Sequence, residues 1–143
     1  MRSLLLLCSA LILSTPSFAD VTGAWNGWVY WNYQGSGSKC FSSLKLSETS
    51  QGLHRQGGNI ECEFARMDIS EQILTKIGSA LSFENVEVGS WKEDSFEWTE
   101  RYSDTVYIEN TISVKGNSMD YHEKWMHVSG REIYDIKGRF FRK

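Results

Sequence analysis

The sequence predicts an all-β fold, an eight-stranded antiparallel up-and-down barrel with one short helix, and three observations predict it. Apolar residues recur with a period of two through most of the chain, clusters of turn-forming residues interrupt the alternating runs, and the connections are short enough to force antiparallel neighbours. A meander of that length has two faces to hide and two edges to protect. Closure into a barrel does both.

The first segment is not part of that pattern. MRSLLLLCSALILSTPSFAD carries Arg2, an apolar run from Leu4 to Leu13, Pro16, and small residues at Ser17 and Ala19. It reads as a secretory signal peptide over 1–19 cut after Ala19, since the apolar run is too short to span a bilayer. A single β-barrel domain over 20–143 is then expected, with a periplasmic or extracellular location. Removing Arg2 from the 15 basic residues leaves 14 against 18 acidic ones, a net charge of −4 with no run of like sign. That balance argues against nucleic acid and anionic lipid as partners.

Strands are expected over 22–33, 39–48, 58–66, 79–88, 95–103, 104–114, 118–128 and 131–142. The first holds three tryptophans and two tyrosines between Trp25 and Tyr33 and is followed by the turn QGSGS. Its inward set is Val21, Trp25, Val29, Trp31 and Tyr33, which leaves Trp28 and Tyr30 outside and in want of cover. The alternation is plainest from Thr105 to Val114. It recurs at Ile60, Cys62 and Phe64, and at Phe96, Trp98 and Tyr102. Further turns fall at TSQG, KGNS and Ser129-Gly130. One segment departs from the period. DISEQILTKIG spaces Ile69, Ile73 and Ile77 by four, offers Asp68 and Glu71 as a capping pair and ends at Gly78, so a helix over about 69–77 is expected between the third and fourth strands. Its isoleucine face, a second subunit or another protein would cover Trp28 and Tyr30.

Loss of the leader would leave Cys40 and Cys62 as the only cysteines, and an oxidising compartment pairs them. Strand phase agrees. In a hairpin turning near Gln51, facing residues have numbers that sum to 102, which sets Cys40 against Cys62 on the face of Leu44, Leu46, Ile60 and Phe64. Leu53 and the pair Gly57-Gly58 fit that register poorly, so a bulge is expected there.

The opening Thr22-Gly23-Ala24-Trp25 resembles the Gly-x-Trp that begins the first strand in the calycin superfamily of lipocalins, fatty-acid-binding proteins and avidins. The resemblance implies a barrel closed at its bottom by a late-strand arginine against that tryptophan. Here Arg142, on the phase of Phe140, Gly138, Ile136 and Tyr134, fills that role, and Arg139 points outward. The chain departs from the pattern in lacking the helical lid of the fatty-acid-binding proteins after its first strand and the lipocalin helix after its eighth. Gly27 and Trp31 stand where avidins carry their biotin-binding Asn and Ser, so biotin is not implied.

Few parts for catalysis are present, and neither a catalytic set nor a metal or other cofactor is expected. His54 falls in a loop, while His122 and His127, five apart on one strand, point to opposite faces. Asp120, His122 and Lys124 share a wet face. The other face carries Met119, Tyr121, Glu123, Trp125 and His127, and a charge among large apolar groups is costly unless paired. Either Glu123 and His127 are polar handles in an aromatic-lined cavity, or Glu123 meets an interior cation or water at a barrel mouth. The candidate ligand-binding residues are therefore Trp25, Trp31, Tyr33, Trp98, Tyr121, Glu123, Trp125 and His127. The expected function is binding of a small apolar or aromatic ligand inside the barrel. The alternative is a protein-interaction module, such as an inhibitor of an extracellular hydrolase, using Trp28, Tyr30 or the stretch TSQGLHRQGG.

Overall fold

The computed structural model describes residues 20–143, so the leader expected over 1–19 lies outside the described residues. Eleven strands follow one another: β1 (Gly23–Tyr33), β2 (Ser36–Thr49), β3 (Gly52–Glu61), β4 (Arg66–Ile69), β5 (Gln72–Ile77), β6 (Ala80–Phe83), β7 (Val86–Lys92), β8 (Ser95–Arg101), β9 (Val106–Lys115), β10 (Ser118–His127) and β11 (Glu132–Arg142). All their pairings are antiparallel. Pairing of β1 with β11 and of β2 with β3 closes the sheet into a ring. The upper part of β3 bonds to β4 and its lower part to β5, so those two strands share one position and the eleven fill ten places.

An eight-stranded barrel was the expectation, and the difference arises in the stretch between residues 66 and 92. No helix forms over 69–77. A spacing of four fits a period of two as well as one of 3.6, and a segment with three isoleucines and a threonine suits a strand. At Ser70 and Glu71 the chain breaks phase: Ile69, Gln72 and Leu74 are buried, whereas Ile73 is 60 % and Ile77 68 % exposed. The expected strand over 79–88 is a hairpin, β6 and β7, whose turn at Glu84 and Asn85 has positive φ at both residues. That is a left-handed turn made without glycine.

The core fills the lower part of the ring with Val21, Trp25, Leu46, Phe96, Met119 and Phe140, all buried. Trp25 lies opposite Arg142 in the β1–β11 pair, with the guanidinium 4.7 Å from its ring centroid, and its indole N–H donates to the Val21 carbonyl at 2.9 Å. Arg139 faces outward and pairs with Asp120. Gly27 and Gly138 let β1 and β11 lie this close, because a Cβ on Gly27 would sit 2.1 Å from the Arg139 carbonyl oxygen and one on Gly138 2.2 Å from that of Trp28.

Cys40 and Cys62 form a disulfide with Cα atoms 4.3 Å apart. The pairs Phe41–Glu61 through Lys45–Gly57 keep the register that sums to 102, and the slip to Leu46–Arg55 leaves Gln56 as a bulge. Phe64, expected inside, lies beyond the end of β3 and is 90 % exposed. His54 belongs to β3 rather than to a loop and bonds Glu71 at 2.7 Å. Trp28 and Tyr30 do point outward, 53 % and 58 % exposed, with Trp28 packed edge-on against Phe41. Among the described residues no helix is long and apolar enough to cross a membrane. Glu61, Glu97, Arg101 and Glu109 stand exposed on the outer wall, where a lipid-facing barrel would need apolar groups.

Replacing both cysteines with alanine should lower the unfolding free energy by about 3 kcal/mol, as expected for opening a loop of this length. Urea denaturation of the oxidised and variant proteins measures it, and coincident midpoints would contradict it. A second expectation concerns acid. Burial raises the Asp135 carboxyl, but hydrogen bonds and positive charge from His122 at 2.5 Å and Lys137 at 3.0 Å outweigh it and hold the group below the ordinary 3.8. A depressed folded pKa contributes stability that is complete above the unfolded value and disappears as pH falls through the folded one. Asp135→Asn should therefore be less stable than wild type at neutral pH and should lose less stability on acidification below about pH 4.

Candidate functional site

The strands run alternately from a packed floor to an open rim, and the rim is where polar and aromatic side chains meet inside the ring. A cavity of about 450 Å³ lies there, among Trp31 of β1, Arg55 of β3, the whole of β4, Glu100 and Tyr102 at the top of β8, Ile108 and Asn110 of β9, Glu123 and Trp125 of β10, and Tyr134 of β11. One side of it is formed by β4, which bonds only to β3.

Glu123 is buried among these rings, and two donors satisfy it. The Tyr121 hydroxyl donates to Oε2 and the Trp125 indole N–H to Oε1. Period two makes this arrangement, since residues 121, 123 and 125 stand in line on the inner face of one strand. Burial pushes the Tyr121 hydroxyl well above its ordinary value of 10, and the Glu123 charge adds to the effect, so Tyr121 remains a donor.

Arg55 supplies the buried positive charge. Its Nη2 donates to Glu100 Oε2 at 2.9 Å, its Nε to the Ser70 carbonyl at 3.0 Å, and its guanidinium lies 5.8 Å from the centre of Trp98. The Trp98 indole N–H donates in turn to Gln72 Oε1 at 2.9 Å. Asn110 is 2 % exposed; its amide donates to the Ile108 carbonyl at 3.4 Å, and its Oδ1 has no hydrogen-bond partner among the described residues. Around this floor the rings touch in sequence: Tyr33 and Trp31 on Tyr134, Tyr134 on Trp125, and Trp125 on Tyr102, with centroids 4.6 to 5.7 Å apart. Edge-on and tilted packing at these distances is favourable.

The residues expected at the site divide. Trp31, Glu123 and Trp125 line the cavity, and Tyr121 lies behind Glu123 as its donor. Tyr33 stands at the rim on Tyr134. Trp25 is in the floor beside Arg142, far down the barrel, and Trp98 is packed in the core beside Arg55. His127 is bound within its own turn, to Ser129 at 2.7 Å. Glu123 is 4 % exposed within this aromatic-lined cavity, held by the Tyr121 and Trp125 donors, and among the described residues it pairs with no cation. The sequence reading missed Arg55, because the Gln56 bulge reverses the phase of β3 below it, and missed Tyr102 and Tyr134 as lining groups. Among the described residues no group of three or more His, Cys, Asp and Glu side chains is placed to hold a metal ion.

No family model matches the chain, and no curated protein matches it. Solved structures do. A Nostoc punctiforme protein of unknown function from the DUF3598 family superposes with a TM-score of 0.60 at 11 % identity over 87 % of this chain, which spans 48 % of that protein, about half its length. The S-type phycobiliprotein lyase CPES from Guillardia theta superposes with a TM-score of 0.56 at 8 % identity, covering 86 % of this chain and 88 % of the lyase. At these identities the likeness is one of fold alone.

Tyr121→Phe tests the internal account of the site. It leaves one oxygen of a buried carboxylate without its donor and should destabilise the protein by about 1–3 kcal/mol. Thermal or urea unfolding measures this, and an unchanged stability would show that the hydroxyl does not support Glu123.

Proposed function

We propose that this chain is an exported binding protein that holds a small apolar or aromatic molecule in the mouth of its barrel. One observation carries the reading: an open cavity of about 450 Å³ with aromatic walls and a buried, doubly hydrogen-bonded carboxylate at its base. Concave, mostly apolar surfaces with a few fixed polar groups are what small-ligand sites look like. A barrel packed solid throughout would have no such space. In this reading Trp31, Trp125, Tyr102 and Tyr134 take the flat body of the ligand and Glu123, oriented by Tyr121, takes its polar end. Export rests on the leader pattern and on the Cys40–Cys62 bridge, which suits an oxidising compartment, periplasmic or extracellular. That a phycobiliprotein lyase has a like fold supports the view that this barrel can carry a site for chemistry or binding.

A second reading, an envelope-protein partner or a second copy of this chain on the outer wall, is favoured by the uncovered Trp28, Phe41 and Tyr30. Lys39 lies 4.8 Å from the Trp28 ring, and Lys137 and Arg139 stand opposite Tyr30 and Trp28 across the β1–β11 pair.

Native mass spectrometry on protein released from its own cell envelope separates these readings. A copurifying small mass that is lost in Trp125→Ala supports the cavity. A second polypeptide or a homodimer that is lost in Trp28→Ala supports the outer wall, and bare monomer in every preparation would count against both.

A further inference from the structure

The mouth is chemically one-sided, and this deepens the binding reading on which it rests. Five charged side chains of both signs line it: Arg55 and Arg66 against Asp68, Glu100 and Glu123. Both cations are already engaged. Arg66 bonds Glu61 at 3.1 Å and Asp68 at 3.2 Å, and Arg55 is held by Glu100 and by the Ser70 carbonyl. Acceptors are left over. A carboxylate has about four acceptor sites, and Glu123 uses one per oxygen. Arg55 engages Oε2 of Glu100, and the buried Asn110 has an Oδ1 with no partner among the described residues. The wall above these acceptors is formed by the rings of Trp31, Tyr102, Trp125 and Tyr134, whose faces carry negative quadrupole charge.

We infer that the barrel mouth selects organic cations: a flat or aliphatic body ending in a protonated amine, with the ammonium set between Glu123 and the aromatic faces. Two features favour that charge. An ammonium brings donors to a site with acceptors to spare, and it draws on both the carboxylate and the ring quadrupoles. An anion would meet an excess of one negative charge in a lining whose two arginines are each already paired with carboxylates. A neutral body of the same shape keeps the apolar contacts alone.

Three probes of nearly equal shape test this: 2-phenylethylamine, 2-phenylethanol and phenylacetate, titrated against the mature protein at neutral pH with tryptophan emission as the readout. The amine should bind at least about tenfold more tightly than the carboxylate, with the alcohol between them. Glu123→Gln should reduce the amine's advantage over the alcohol by about tenfold while leaving the alcohol's affinity nearly unchanged. If that variant does not fold, the ranking on the wild-type protein decides alone. An alcohol or carboxylate that binds as tightly as the amine overturns the preference for cations and leaves the cavity reading intact. Failure of all three to bind overturns the preference and speaks against the cavity as well.

Discussion

Everything in this molecule depends on the bond between its first and last strands. A ten-position antiparallel sheet left open would expose two rows of unpaired backbone groups and half of its apolar side chains. Pairing of β1 with β11 removes both problems together, in a register that runs from Trp25–Arg142 at the floor to Tyr33–Tyr134 at the rim. Two features hold that seam at its lower end. Arg142 stacks on Trp25, and Gly27 lets the β11 backbone come within a distance no side chain would permit. The seam also joins the halves of the site, since Trp31 and Tyr134 are neighbours only because the ring is shut.

Closure creates an unequal interior. Toward the floor, large apolar groups fill the cross-section and leave little room. Toward the rim the same strands deliver Arg55, Glu100, Asn110 and Glu123, and burying such groups is favourable only when each finds partners. They largely do so among themselves, through Tyr121 and Trp125 on one side and Ser70 and Glu100 on the other. The polar residues are thus not a flaw in an otherwise oily core. They hold the aromatic walls apart and give the open end a fixed chemistry.

Much of this could be read from the chain because period two is a strict rule. It placed Trp25, Val29, Tyr121, Glu123 and Phe140 inside, set Trp28, Tyr30 and Arg139 outside, and brought Cys40 to Cys62. It failed where the chain breaks phase. The Ser70-Glu71 break turned Ile73 and Ile77 outward while Ile69 stayed inside, and a spacing of four fits both a helix and a strand. The Gln56 bulge set Leu53 and Arg55 inward, although a regular strand would have sent both to water. The Glu84-Asn85 turn carries no glycine to announce it, so two short strands read as one long one. The missing part of the site, Arg55 above all, lay behind one of these irregularities. Their effects depend on pairing with a neighbour that the local sequence does not specify.

The β4 segment differs from every other stave in being hydrogen-bonded along one side only. Displacing it breaks a single ladder, whereas displacing any neighbour that is bonded on both sides breaks two. On the binding reading proposed above, a ligand would enter past its flank, and the floor beneath Trp25 would stay shut throughout.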